Sequence, residues 1–505
     1  MHIDVALSTL VDLLTNPQLV FLMLLAIPIG AFFGALPGLG GKLGIVLLLP
    51  FVFGMDPIAG AVFLLAMHSV VHTGGSIPSI LFGVPGDGPT AATVLDGYAM
   101  TKRGEAGRAL GASFAASGIG GLIGAVFLGM MLPLLEPVIL AFSPAEFFLV
   151  AILGITFIAV LSGDSLVKGL SVGMLGLMLA FVGLDPSTGG ERYTFGQLFL
   201  WDGLDIITAV LAMFAIPEMV ALGVRREALA PVGINKNEKM KIDIRQVWDG
   251  VLDVFRHWGL SLRTSIFGAV VGLCPGLGGD AASWLCYGHA QQTSKHPERF
   301  GKGAVEGVIA PETANNSKEG GSLVPTLLFG VPGSSGMAIL LGAFLTLGIQ
   351  PGPTIITENL PLVWSLIWAL AIANLLCAVA LIVASPWLSV LAYMKASLMI
   401  PFVLVLALLG CFLAAGAWEN LLLLVVLGGV GYMLKRHHWP RPPFVIGVIL
   451  GPIAEDSLLK SLAIGGPSFF LRPIALVLLF MIFASIAFYV WRSRKPKKLV
   501  LIDEH

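Results

Sequence analysis

One nine-residue motif occurs twice in this chain, as GALPGLGGK at Gly34 to Lys42 and as GLCPGLGGD at Gly272 to Asp280. Each copy is followed by a second shared segment, GGSIPSILFGVPG from Gly74 to Gly86 and GGSLVPTLLFGVPG from Gly320 to Gly333. Two such pairs in the same order read as a duplication. The motifs sit in strongly apolar sequence, and this limits what the chain can fold into. Glycine and proline interrupt helices and free backbone N–H and C=O groups, which at membrane depth is tolerable only inside protein or beside a watery cavity. Each copy therefore marks a candidate binding site.

The surroundings are those of a polytopic membrane protein. The chain is 56% hydrophobic and only 12% charged, against about 25% charged in soluble domains. Apolar runs near the roughly 20 residues needed to span a bilayer recur from Leu19 onward, for example Leu110 to Leu135, Phe147 to Leu161 and Ile474 to Trp491. The extended polar stretch Arg225 to Arg263 reads as a linker or surface helix between two halves. The start, MHIDVALSTLVDLL, lacks the basic n-region and cleavage site of a secretory signal, so the first apolar segment is expected to stay. A net charge of −1 gives no basic field for nucleic acid. Cys274, Cys286, Cys377 and Cys411 lack metal or CxxC spacing and read as packing residues.

Loop charges give the sense of the repeat. Basic clusters at Lys102-Arg103, Arg225 to Arg245, Lys295 to Lys302, Lys435 to Arg441 and Arg492 to Lys498 are expected on the cytoplasmic side. Pro37 to Pro275 is an offset of 238 residues and Gly83 to Gly330 one of 247, the growth matching the basic KHPERFGK insertion. Equivalent loops carry opposite bias: KRGEAGR follows the first GVPG, whereas GIQPGPTIITEN, free of Lys and Arg, follows the second. The halves thus read as inverted in the membrane, the architecture of secondary transporters.

The expected fold is an all-α polytopic membrane protein of two inverted-topology repeats. Each begins with a re-entrant hairpin tipped by PGLGG and continues into a helix broken around GGS…GVPG. Spans are predicted at Ala109 to Leu132, Glu146 to Leu161, Leu166 to Val182 and Trp201 to Leu222. In the second half they are Pro361 to Ala384, Leu398 to Ala415, Trp418 to Leu434, Phe444 to Leu458 and a final span to Trp491. This divides the chain into a first repeat (1–224), a cytoplasmic linker (225–262), a second repeat with the final span (263–491) and a cytoplasmic tail (492–505). The N-terminus is expected outside, with about eleven crossings and two hairpins.

Two groups of residues are candidates for chemistry. In the hairpins, Pro37, Gly38, Gly40 and Gly41, with Pro275, Gly276, Gly278 and Gly279, offer N–H groups at a helix start for an anion and carbonyls at a helix end for Na⁺; they are assigned to the cation. Beside the second segments lie Thr73, Gly74, Gly75, Ser76 and Ser79, and Asn315, Asn316, Ser317, Gly320, Gly321, Ser322 and Thr326. Their hydroxyls and amides suit a carboxylate and are assigned to the substrate. His68 and His72 read equally as satisfied buried histidines, and Lys318 and Glu319 as a mutually neutralising pair. Asp56, Asp164, Asp185, Glu191, Arg192, Glu455 and Asp456 fall at span ends, where solvated or interfacial charge is the default. Enzymatic motifs fail: Leu36 and Leu43 break a P-loop, no strand–helix unit exists for a dinucleotide fingerprint, and HExxH and GxSxG are absent. An enzyme is not expected.

PGLGGK, HTGGSIPSILFGVPGD, TGGERYTFG (Thr188 to Gly196), PGLGGD and APETANNSKEGGSLVPTLLFGVPG together resemble the large membrane subunit of the tripartite tricarboxylate transporter family (TctA-like) over essentially the whole chain. The resemblance implies a bacterial inner-membrane carrier. Its expected partners are a small four-helix membrane subunit and a periplasmic solute-binding protein. It further implies uptake of citrate or another carboxylate driven by an ion gradient, and an elevator-like movement of the motif-bearing unit. Ser317-Lys318-Glu319 departs from the small or apolar residues expected after Asn315-Asn316; Lys318 either attracts a further carboxylate or marks a different solute. Na⁺ and H⁺ both remain open as the coupling ion, and a channel or receptor-like scaffold is the competing class.

Overall fold

A computed structural model describes residues 2–36, 40–161, 165–185, 188–225, 242–275, 277–388 and 396–493. In order these form helices α1 (His2–Thr15), α2 (Pro17–Ala35), α3 (Gly40–Val52), α4 (Pro57–Phe82), α5 (Ala91–Lys102), α6 (Ala106–Leu140), α7 (Pro144–Leu161), α8 (Leu166–Ala180) and α9 (Ile206–Arg225). The second half has α10 (Ile244–Arg256), α11 (Trp258–Leu273), α12 (Gly278–Thr293), α13 (Glu306–Phe329), α14 (Ser335–Thr346), α15 (Pro353–Thr357), α16 (Leu360–Ala384), α17 (Ala396–Ala415), α18 (Glu419–Arg436), α19 (Pro442–Gly465) and α20 (Pro473–Ser493). A short antiparallel pair, β1 (Gly183–Leu184) and β2 (Glu191–Arg192), lies between α8 and α9.

Local chemistry sets the boundaries. Asn16, Asp56, Ser165 and Ser334 accept from backbone N–H groups at the starts of α2, α4, α8 and α14, and proline stands in the first turn of α2, α4, α16 and α19, where its missing N–H costs nothing. Among the described residues five helical stretches are long and apolar enough to cross a membrane: α2, α4, α6, Leu360–Leu388 and Pro442–Leu471. Several shorter apolar helices, α3, α7, α8, α9, α11, α14, α17 and α20 among them, accompany these. In α4, 94% of an 18-residue apolar window is buried, so this helix faces protein rather than lipid.

The break expected around GGS…GVPG falls at GVPG and not within Gly-Gly-Ser. α4 and α13 run unbroken through their Gly-Gly-Ser, and each ends at GVPG, on Gly83 (φ +70°) and Gly330 (φ +69°) in the left-handed conformation. The glycines act by allowing close approach. A Cβ on Gly74 would meet the carbonyl oxygen of Ala31, and one on Gly34 that of Val71. In the second half the same positions repeat the contact: Gly321 lies against Ala269 O, and Gly272 against Lys318 O. Glycine inside a helix costs about 1 kcal/mol relative to alanine, and here it permits α2 to pack on α4 and α11 on α13 backbone to backbone.

α6 is the spine between the halves, packing on α13, α16 and α10. The polar stretch contains the surface helix α10, held to α6 by Arg108 Nε on Asp253 Oδ2 at 2.6 Å and by backbone contact at Gly111 and Gly250. Trp248, Leu252 and Phe255 of α10 face away from the protein, as suits a helix lying in the membrane interface. Residues 226–241 and 494–505, and Asp164, lie outside the described residues.

Buried carboxylates tie distant segments together. Asp96 of α5 is fully buried; its Oδ1 accepts from the Gly303 and Ala304 N–H groups at 2.7 and 2.8 Å, and its Oδ2 from the Tyr287 hydroxyl at 2.8 Å. Arg192, expected to be solvated or interfacial, pairs with Glu455 and lies 3.6 Å from Asp185; the Glu455 carboxylate raises its guanidinium above the ordinary range. Glu146, also fully buried, accepts from the Ser143 N–H at 2.8 Å and from Arg472 Nε at 2.8 Å, joining α7 to the start of α20. Glu146→Ala is expected to cost about 1 to 3 kcal/mol by leaving these donors unmet. A lowered unfolding temperature of the detergent-purified protein checks this, and an unchanged one would count against the joint.

Candidate functional site

α4 and α13 cross in the protein interior, and their facing sides are polar. His72 Nε2 lies 2.7 Å from Glu319 Oε1, and Asn316 Nδ2 donates to Ser69 O at 3.5 Å. Both pairs are 247 residues apart, the offset between the two GVPG segments. Lys318 Nζ pairs with Glu319 Oε1. His68 Nε2 lies 3.5 Å from Glu319 Oε2, and His72 Nδ1 lies 3.1 Å from Asp87 Oδ2. The Lys318 and Glu319 side chains are 2% and 0% exposed, and that of Asp87 is 10%. Ionised groups at this depth persist only when paired. The donor atoms of His68, His72 and Glu319 lie within 4.8 Å of one another, but the Lys318 ammonium already holds Glu319 Oε1, where a metal's charge would be needed. The set is an ion-pair cluster.

Asparagines and hydroxyls surround it. Asn316 Nδ2 donates to Thr73 Oγ1 at 3.0 Å and to Asn374 Oδ1 at 2.7 Å, and Asn374 Nδ2 donates to Leu370 O. Glu312 accepts from Thr93 at 2.5 Å and Ser117 at 3.0 Å. Asn315 is fully buried, and neither its Nδ2 nor its Oδ1 has a partner. A Cβ built on Gly279 would sit 2.9 Å from Asn315 Oδ1, so this amide faces the start of α12.

The residues assigned from the sequence thus separate by role. Ser76, Ser79, Ser317 and Thr326 donate to the backbone carbonyls of Thr73, Gly75, Ser265 and Ser322. Thr73 accepts from Asn316. Gly74, Gly320 and Gly321 are pressed against neighbouring helices, while Gly75 O accepts from the Gly86 N–H at 3.3 Å. Asn315 and the Ser322 hydroxyl keep unused polar atoms. Of the hairpin residues, Pro37, Gly38 and Gly276 lie outside the described residues. Gly40 and Gly41 open α3, and Gly278 and Gly279 open α12 just after Pro275.

A cavity of about 450 Å³ opens where the first hairpin meets the loop after α4 and the helices α9 and α19. Its wall includes Lys42, Gly86, Asp87, Gly88, Glu218 and Arg441. Arg441 donates to Met213 O and Glu218 Oε1, both at 2.9 Å, and Lys435 pairs with Glu218 as well. Lys42, in the first turn of α3, shares the cavity wall with Asp87 and has no hydrogen-bond or ion-pair partner among the described residues. Sequence reasoning missed Lys42 and Arg441 as site residues. Lys42 directly follows PGLGG, which is the signal that was there to use; Arg441 sits in a basic cluster read only for topology.

The described residues thus form a helical bundle with five helices long and apolar enough to cross a membrane, and a buried ionic cluster that meets a polar cavity at Asp87. The chain belongs to the tripartite tricarboxylate transporter TctA family, whose model matches residues 20–446. It is 32% identical over 481 residues to an uncharacterized 52.8 kDa protein in the TAR-I ttuC' 3' region of Agrobacterium vitis, with 94% of each chain covered. A second Agrobacterium vitis protein, from the TAR-II ttuC' 3' region, is 34% identical over 216 residues, which are 42% of this chain and 89% of that protein. No solved structure matches the chain. The family brings with it partner subunits and a carboxylate substrate.

Proposed function

We propose that this chain is the large membrane subunit of a binding-protein-dependent secondary transporter in the bacterial inner membrane, importing citrate or a related di- or tricarboxylate on a Na⁺ or H⁺ gradient. A small four-helix membrane subunit and a periplasmic solute-binding protein complete the system. The N-terminus lies on the periplasmic side and the C-terminus in the cytoplasm. The two motif-bearing halves are inverted repeats, and the unit built on α2–α4 and α11–α13 moves, elevator-like, against the remaining helices. Repetition of the Gly34 and Gly74 contacts at Gly272 and Gly321 supports the repeat reading.

The observation that carries the substrate assignment is Lys42: an ammonium in the first turn of a helix, facing a polar cavity and without a hydrogen-bond or ion-pair partner among the described residues. A carboxylate there meets both a cation and the partial positive charge of a helix N-terminus. Asn315, with both amide atoms unused, offers a further polar group deeper in the protein, and the backbone of Gly40, Gly41, Gly278 and Gly279 is kept for the cation.

The test is uptake of labelled citrate, malate and succinate by proteoliposomes holding all three components. Accumulation against a gradient identifies a carrier, and its absence under either ion gradient sinks this reading. Lys42→Ala is expected to weaken apparent affinity about 10- to 100-fold, the worth of one charge-assisted contact, with Lys42→Arg recovering part of it. Unaltered affinity in Lys42→Ala would move the substrate out of this cavity.

A further inference from the structure

The buried ion-pair cluster and the cavity are connected. Asp87 lines the cavity, its carboxylate stands 3.1 Å from one nitrogen of His72, and the other nitrogen of that ring stands 2.7 Å from fully buried Glu319. We infer that Asp87, His72 and Glu319 form a proton-binding relay, so that the coupling ion of this chain is H⁺. The inference rests on the transport reading above and deepens it.

The route follows the geometry. A proton from hydronium in the cavity passes to Asp87 and then to His72 Nδ1; the imidazolium releases its Nε2 proton to Glu319, and the ring returns to neutral. His72 is left with its ring proton on Nδ1 instead of Nε2, no other bond changes, and the proton leaves Glu319 to water when the moving unit exposes the cluster on the opposite side.

Charge explains why the proton matters. Lys318 supplies one positive charge, and Glu319 and Asp87 supply two negative ones. One proton anywhere on the relay makes the cluster neutral; without it, one negative charge stays uncompensated. Such a charge at the membrane centre costs about 2.5 to 3.5 kcal/mol on insertion scales, so a unit crossing the bilayer moves more readily with the proton aboard.

Of the other groups facing the cluster, Lys42 at the cavity can offset Asp87, but only until a substrate carboxylate engages it. His68 on α4 stands 3.5 Å from Glu319 Oε2 through Nε2, though neither ring nitrogen makes a hydrogen bond, and it does not touch Asp87. Glu312 on α13 is held by Thr93 and Ser117. Asp280 on α12 stands by the backbone of Gly88, where a Cβ would lie 3.0 Å from its Cγ. Lys42 on α3 shares the cavity with Asp87, and this links proton to substrate. A carboxylate that engages Lys42 withdraws that cation from Asp87, which favours the proton; by reciprocity the bound proton favours the carboxylate.

The experiment uses the complete three-component transporter in proteoliposomes, with labelled citrate, malate and succinate as probes and a trapped pH dye. Wild type is expected to accumulate at least one probe under an inward H⁺ gradient without Na⁺, with acidification of the lumen. His72→Gln and Asp87→Asn are expected to lose that accumulation about tenfold, within the usual span of coupling free energies, while still exchanging internal for external probe. Three results overturn the relay: accumulation driven by Na⁺ alone at equal pH, wild-type H⁺-driven accumulation in both variants, or loss of exchange together with accumulation in both, which indicates a structural role. Absence of wild-type uptake and exchange under every gradient instead overturns the transport reading itself.

Discussion

Gly34→Val and Gly272→Val are each expected to abolish recovery of folded protein. A Cβ on Gly34 meets the carbonyl oxygen of Val71 and comes within 2.8 Å of Gly75 N; one on Gly272 meets Lys318 O and lies 2.9 Å from Ser322 N. These neighbours are backbone atoms of α4 and α13, which cannot rotate away as side chains can. The helices would have to separate, and ordinary overpacking of a core already costs about 1 to 3 kcal/mol. Here the same shift also strains the His72–Glu319 contact and the turns at GVPG. Fluorescence-detected size exclusion of tagged protein reads the outcome, and wild-type yield with a single symmetric peak in either variant would refute it. Gly288→Ala is the control: a Cβ there meets nothing within 4 Å, and alanine is the better helix former.

Lys318→Met is expected to be the most damaging single change within the ionic cluster, at about 3 to 5 kcal/mol, because it leaves the Glu319 carboxylate buried without its ammonium partner. The double variant Lys318→Met/Glu319→Gln removes both charges together and is expected to recover most of that loss. Comparing unfolding temperatures of the two purified variants decides the matter. A double variant no more stable than the single one would mean that the loss does not come from the unpaired Glu319 charge. The same pair also separates stability from transport, since the double variant keeps His72 and Asp87 but no longer offers them Glu319 as an acceptor.

Much of this was legible in the sequence, for identifiable reasons. Long apolar runs announce their own helices: the predicted span at Pro361 to Ala384 nearly coincides with α16, and that at Leu166 to Val182 with α8. Lys318 and Glu319, adjacent in sequence and read as neutralising one another, do form an ion pair. Helix continuity through Gly-Gly-Ser was not legible, because local propensity favours a break there and only the approach of α2 and α11, set by distant residues, offsets it. The partners of charged residues at span ends were not legible for the same reason. Nothing near Arg192 in the sequence announces Glu455, and nothing near Glu218 announces both Lys435 and Arg441. The cavity is the clearest case, since Lys42, Asp87 and Arg441 belong to three segments that only the fold brings together.

The buried carboxylates described above also bear on biosynthesis. Asp96 needs Tyr287, Gly303 and Ala304; His72 needs Glu319; Glu146 needs Arg472. In each case the first residue is made well before its partner leaves the ribosome. The first half therefore enters the bilayer with polar groups whose complements do not yet exist, and it must hold them in water, at the interface or against helper proteins until the second half arrives. These joints close only once residues of the second half, from Tyr287 to Arg472, have been made.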